Sequence, residues 1–214
     1  MIRPRHTPTR LDGGTLAAAV QTLTRGDPDL RRLVRRDGLP PLWARPTGFA
    51  TLLRIILEQQ VSLASARATF FRLAATVEVV SPQAVVAVGT EGLRAAGFTR
   101  QKAGYVFGLA QALVGGRLGL ASLGRASDEA AREALMRVRG VGRWTADIYL
   151  LMALRRPDVW PTGDLALHRA LMQAKRLPSL PSAEQSSRLA MAWAPWRSVA
   201  ARIRWHAYLS ERGR

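Results

Sequence analysis

The chain has no cysteine, and only two of its 214 residues are lysine, Lys102 and Lys175. Without cysteine there is no disulfide, no zinc ribbon and no thiolate-held iron–sulfur cluster. Its three histidines, His6, His168 and His206, are too scattered for a protein-built transition-metal site. No apolar run approaches the roughly 18 residues that a membrane-spanning helix needs, so a soluble protein is expected. Met1-Ile2-Arg3-Pro4-Arg5 is basic, but no apolar stretch follows it, which argues against a secretory signal.

Acidic residues are also scarce, 15 against 32 basic ones, which leaves a net charge of +17. Apart from the two lysines the basic residues are all arginine, a skew that also fits a GC-rich genome. The excess charge points to a polyanionic partner, because each neutralised phosphate releases condensed counterions. A heavily solvated surface or a ribosome-associated protein would also account for the charge. The length allows one or two compact domains, and a hydrophobic share of 48% supports a packed core.

Apolar periodicity favours helix almost throughout, and no stretch alternates cleanly enough for a strand, so an all-α fold is expected. Glycine, proline, serine and aspartate divide the chain into helices near 14–24, 27–36, 47–58, 62–77, 82–87, 90–95, 99–114, 127–137, 142–154, 164–173, 182–193 and 196–211. Asp27-Pro28 and Ser81-Pro82 each pair a capping residue with proline at the first helical position. Ser127 is a plain N-cap, with Asp128 and Glu129 favouring the helix start through the dipole. Val114–Ser127 and Leu177–Pro181 read as connections, and residues 1–12 as a flexible basic arm.

Four short segments carry the chemistry. In Val138-Arg139-Gly140-Val141-Gly142-Arg143-Trp144-Thr145-Ala146, two glycines flank one apolar residue between two amphipathic helices, a helix–hairpin–helix pattern. Glycine admits close approach of a phosphate, and the amides that open the second helix are donors for it. A simple helix–helix turn shares the G-V-G part. In Trp160-Pro161-Thr162-Gly163-Asp164, the aspartate sits where an N-cap belongs. A cap alone contributes about 1 kcal/mol, and the helix dipole favours a negative charge there, as an electrostatic catalyst needs. Leu57-Glu58-Gln59-Gln60-Val61-Ser62 puts two amides at a helix junction, suited to probing stacked bases or to an exposed polar turn. Trp193-Ala194-Pro195-Trp196-Arg197-Ser198 and Trp205 are rich in indole. Most of the six tryptophans are expected in the core, while Trp144 and Trp205 lie in segments that suit a cleft, where an electron-rich indole face fits a cationic base.

Taken together, these motifs resemble the helix–hairpin–helix DNA glycosylase superfamily, most closely the 3-methyladenine DNA glycosylase II branch. The resemblance covers residues 45–211 and rests on I-L-E-Q-Q-V-S (56–62), G-V-G-R-W-T-A (140–146), P-T-G-D (161–164) and W-A-P-W-R-S (193–198). It implies two helical subdomains flanking a DNA-binding cleft. A middle subdomain near 48–135 and a second built from the N- and C-terminal helices would make up a core spanning 13–214. Asp164 matches the essential aspartate, and Gln60, beside Gln59, falls where a residue plugs the gap left by a flipped nucleotide. Arg139, Gly140, Val141, Gly142, Arg143 and Thr145 match the hairpin that holds DNA backbone, in the family often through a monovalent cation, here Na+ or K+. No other cofactor is implied. Trp144, Ile148 and Trp205 match the base pocket.

Two departures stand out: Arg139 replaces the usual hairpin proline, and Ile148 stands where some relatives have tyrosine. Trp144 also occupies the position of the Schiff-base lysine of bifunctional members. The resemblance therefore implies a monofunctional enzyme that excises 3-methyladenine- and 7-methylguanine-type bases from double-stranded DNA and leaves an abasic site. A monomer in the cytoplasm, associated with the nucleoid, is expected, and the extra N-terminal sheet domain of longer relatives is expected to be missing. Two other readings use the same residues: a glycosylase for deaminated or mismatched bases, and a non-catalytic DNA-binding module. The module would not need Asp164 or the tryptophan-rich segment.

Overall fold

The computed structural model describes residues 10–213, and most of the expected basic arm lies outside them. The described part of that arm is ordered: Leu11 is fully buried and its amide donates to the Arg155 carbonyl at 2.8 Å, while Asp12 caps the first helix. A single leucine in a polar segment has no periodicity by which its burial could be read. Among the described residues there is no strand, as the all-α expectation requires.

The helices are α1 (Gly13–Gly26), α2 (Pro28–Asp37), α3 (Phe49–Glu58), α4 (Leu63–Thr76), α5 (Pro82–Ala95), α6 (Arg100–Val114), α7 (Leu120–Leu123), α8 (Asp128–Met136), α9 (Arg143–Met152), α10 (Leu165–Lys175), α11 (Ala183–Ala190) and α12 (Arg197–Ser210). A short 3₁₀ turn, Met191–Trp193, follows α11. Side-chain caps start most of them: Asp27 Oδ1 accepts the amides of Asp29 and Leu30 at 2.8 and 3.0 Å. Ser81 and Ser127 accept the amides of Ala84 and Ala130. Helix α5 bends at Gly89, whose φ of 69° falls between the two helices expected at 82–87 and 90–95. The short α7 lies within the stretch read as a plain connection, because four residues are too few to show a helical period.

The chain divides into two compact units. The middle unit, Arg45–Ala153, is organised around α3, whose Leu52, Leu53, Ile55 and Ile56 are fully buried. A helix apolar on nearly every side belongs inside its domain, and truncating one of these side chains to alanine should cost about 2–5 kcal/mol. This unit extends beyond the expected end at 135 and takes in the hairpin and α9. Hydrogen bonds hold α9 there, since the Gly48 amide donates to the Tyr149 hydroxyl at 3.0 Å and Arg132 on α8 pairs with the buried Asp147 at 2.6 Å.

The terminal unit joins the residues up to Ala44 with those from Leu154 onward. Its central element is α12, where Val199, Ala200 and Ala201 are fully buried and let α2 and α10 pack closely. Arg202 is buried too, and its donors reach the Leu42 and Ser198 carbonyls at 2.8 and 3.1 Å.

Candidate active site and DNA-binding hairpin

Within the middle unit, the turn between α8 and α9 is built as the G-V-G pattern predicts. Val141 is buried and its amide closes the turn on the Val138 carbonyl at 3.0 Å. Gly140 has φ +89°, and a Cβ there would stand 2.1 Å from Cγ of Tyr105, so both backbone and space require glycine. Gly142 differs: it is exposed and a Cβ on it would meet nothing within 4 Å. As the N-cap of α9 it has no side chain to satisfy the helix's first amides, unlike the Asp and Ser caps of other helices. Arg139 and Arg143 flank it and are exposed, whereas Thr145 is buried.

Gln59 and Gln60 take different roles. The Gln59 side-chain amide turns inward and donates to the Gly140 carbonyl at 2.9 Å and to Thr145 Oγ1 at 2.8 Å. Gln59 and Thr145 thus brace the hairpin with their side chains, a task the sequence reading did not assign to them. Gln60 is exposed, on a backbone with φ +57°. The turn that presents it is held by Lys102, whose Nζ donates to the carbonyls of Leu57 at 2.6 Å and Gln59 at 2.8 Å. Burial pushes the Lys102 ammonium pKa down. No local pattern marks Lys102 for this role. Trp144 and Ile148 lie one turn apart on α9, Trp144 half-buried and Ile148 buried.

In the terminal unit, Asp164 caps α10. Its Oδ1 accepts the Leu167 amide at 2.7 Å and the Trp205 indole N–H at 3.1 Å. The carboxylate is half-buried, and Gly163 before it adopts φ +84°. Trp205 is nearly buried and meets Trp43 edge-on, with centroids 6.4 Å apart at 71°. Trp43, half-exposed with φ 46°, is an aromatic the sequence reading missed, since it stands alone in a loop without periodicity.

The tryptophan-rich segment holds the strand of chain that leads to Asp164. Arg197 grips Asp158 through Nε at 2.8 Å and a terminal nitrogen at 2.9 Å. Ser198 Oγ accepts the Val159 amide at 2.9 Å and donates to its carbonyl at 3.1 Å. The Trp160 indole donates to Ser186 at 3.0 Å. W-A-P-W-R-S thereby fixes the stretch of chain that leads to the carboxylate, with Trp193 and Trp196 buried in the core as expected of most of the tryptophans.

The described residues contain no cluster of three or more His, Cys, Asp or Glu able to hold a metal ion, and no helix long and apolar enough to cross a membrane. A monovalent cation at the hairpin would need neutral backbone oxygens, which suit a hard ion. The Val138 and Gly140 carbonyls each accept one hydrogen bond and keep a second lone pair, so they and the neighbouring hairpin carbonyls would be its ligands.

Residues 53–195 match the family described as HhH-GPD superfamily base excision DNA repair protein, and the chain belongs to it. DNA-3-methyladenine glycosylase 1 of Schizosaccharomyces pombe is 29% identical over 161 residues, covering 73% of this chain and 71% of its own. The solved S. pombe 3-methyladenine DNA glycosylase (Mag1) in complex with abasic DNA superposes with a TM-score of 0.78 at 25% identity, over 91% of this chain and 97% of that one. A DNA-3-methyladenine glycosidase from Bacillus halodurans gives a TM-score of 0.76 at 28% identity, over 91% of each chain.

Proposed function

We propose that this chain is a monofunctional DNA glycosylase that extrudes an alkylated base from duplex DNA and hydrolyses its N-glycosidic bond in base excision repair. The observation that carries this reading is Asp164, a carboxylate fixed at a helix N-terminus by the Leu167 amide and the Trp205 indole. Extruding a nucleotide costs a few kcal/mol of stacking and pairing, least at a damaged pair. Backbone contacts at Gly140–Gly142 and the exposed Gln60 offset that cost.

Alkylation at N3 of adenine or N7 of guanine makes the base cationic, so it departs neutral with the bonding electron pair and needs no general acid. One carboxylate then suffices where other glycosidases use two. Asp164 stabilises the oxocarbenium-like sugar, and water adds at C1′ and gives up a proton, leaving the abasic hemiacetal. The indole of Trp205, held beside Asp164, rewards an electron-poor base without reading its edges closely, which favours a broad substrate range.

The lysines support hydrolysis without strand cleavage. Lys102 is bonded to two carbonyls, Lys175 pairs with Asp27 and Asp29 at 3.3 and 2.8 Å, and Trp144 stands at the Schiff-base position. The enzyme acts as a monomer on chromosomal DNA in the cytoplasm. The test is base release from methylated duplex by wild type and Asp164→Asn, with and without mild alkali. Wild type should release 3-methyladenine and 7-methylguanine, with strand breaks only after alkali, and the variant should lose at least about 100-fold of the rate while still binding. Breaks without alkali would overturn the monofunctional reading. No release from methylated DNA, with release of hypoxanthine or uracil, would move the assignment to deaminated bases.

A further inference from the structure

The terminal unit holds a second feature that base excision does not use. Arg204 on α12 is completely buried, and Nε and both terminal nitrogens have no hydrogen-bond acceptor among the described residues. Its guanidinium lies over the Trp193 ring at 4.4 Å. That contact offsets the charge from one face of the plane, but the N–H donors point outward in the plane, where an aromatic ring cannot accept them. Each bare buried donor is costly, so a native arrangement of this kind calls for a partner.

Arg204 lines a cavity of about 150 Å³ among α2, α10 and the end of α12. At a liquid share of ~30 Å³ per water this is room for several waters or for one compact oxyanion. Arg32 and Arg36 line the same cavity, with Gln173 and Tyr208 as neutral polar neighbours and Glu211 as the acidic one. Arg36 holds Glu211 at 2.7 Å and Asp37 at 2.8 Å, while Arg32 is tied to Asp29 at 3.1 Å. Among the lining side chains, three guanidiniums face one carboxylate, and the charges of Asp27 and Asp29 also act on Arg204 without a hydrogen bond to it. Burial lowers the Arg204 pKa to about 10, which leaves it cationic at neutral pH.

We propose that this cavity binds a compact oxyanion of the phosphate class, inorganic phosphate or a phosphomonoester, with Arg204 as its innermost donor and Arg32 and Arg36 closing around it. Guanidinium and phosphate match as bidentate partners, and a buried guanidinium with unsatisfied nitrogens is prearranged for that contact. The site is separate from Asp164 and does not depend on the substrate assigned above.

The experiment is thermal unfolding of the full chain in rising potassium phosphate, against potassium chloride of equal ionic strength. A ligand that binds only the folded state raises Tm saturably by mass action. Wild type should show such a rise in phosphate and none in chloride, and Arg204→Met should show neither. Coincident phosphate and chloride curves for wild type, or an undiminished phosphate response in R204M, would overturn the site. Should R204M fail to fold, Glu211→Gln decides: removing the one lining carboxylate should lower the half-saturating phosphate concentration several-fold, and an unchanged value would place the ion elsewhere.

Competition with a short undamaged duplex, with or without a 5′-phosphate, then separates the sources. Displacement by the phosphorylated duplex alone identifies a DNA end, and displacement by neither identifies the free ion. Equal displacement by both would place phosphate on the general DNA-binding surface and overturn the pocket.

Discussion

The indole N–H of Trp205 donates to Oδ1 of Asp164 across 3.1 Å, on the same oxygen that accepts the Leu167 amide at 2.7 Å. The aromatic side chain therefore orients the carboxylate as well as offering it an apolar neighbour. A donor on a charged acceptor contributes about 1.5–3 kcal/mol. Trp205→Phe keeps a ring beside Trp43 but loses this bond, so base release should fall about 10- to 100-fold. Affinity for undamaged duplex should hold. Single-turnover release and filter binding on the same variant check it, and an unchanged rate would reduce Trp205 to a packing residue.

The two hairpin glycines make opposite predictions. Gly140→Ala meets Tyr105 Cγ at 2.1 Å on a backbone of φ +89°, so the middle unit should lose about 1–3 kcal/mol of stability, read by urea unfolding. Gly142→Ala meets nothing within 4 Å and its φ of −84° suits any residue, so stability should hold. If DNA backbone approaches these amides, however, G142A should still weaken duplex binding severalfold. Loss of binding without loss of stability separates a phosphate-binding turn from a plain connector.

Asp27 is the node of the terminal unit. Its carboxylate caps α2, accepts the Trp193 indole at 2.8 Å and pairs with Lys175 at 3.3 Å. Burial pushes its pKa up, but the Trp193, Leu30 and Lys175 donors together outweigh that and leave it below the ordinary 3.8. The stabilisation is thus present above pH 3.8 and lost as pH falls through the lowered value. Asp27→Asn turns an amide toward two donors and should cost about 2–4 kcal/mol at pH 7. The penalty should shrink toward pH 3, and an equal penalty at both pH values would refute the charge-based account.

These examples show where sequence is informative. Asp27-Pro28, Ser81-Pro82, Gly89 and Asp164 act within one helical turn of where they stand, so cap chemistry and glycine geometry expose them directly. The partnership of Asp164 with Trp205 spans 41 residues, and that of Gln59 with Gly140 spans 81. Lys102 reaches back 45 residues to the Leu57 carbonyl. Such pairings are set by how helices pack, and no local period encodes them. Gln59 illustrates the difference: its side chain could equally have probed DNA or braced a turn, and only the fold assigns it to the turn.

His168 lies one turn beyond Asp164 on α10, nearly buried, with Nε2 lacking a hydrogen-bond partner among the described residues. Burial lowers its pKa from the ordinary 6.5, and the Asp164 charge pulls it back only in part. The folded protein therefore favours neutral imidazole, while the unfolded chain takes up a proton first as pH falls. The sign follows: the contribution to stability is full above pH 6.5 and is lost progressively as pH falls through the lowered folded value. Asp27 and Asp29, whose pKa values lie below the ordinary 3.8, titrate well under this range. Urea midpoints at pH 7.5 and 5.5 should then fall more for wild type than for His168→Gln, which has no proton to gain. Equal falls would show that the imidazole stays solvated. Protonation also sets a positive charge one turn from the Asp164 carboxylate, so base release should decline on acidification more steeply in wild type than in the variant.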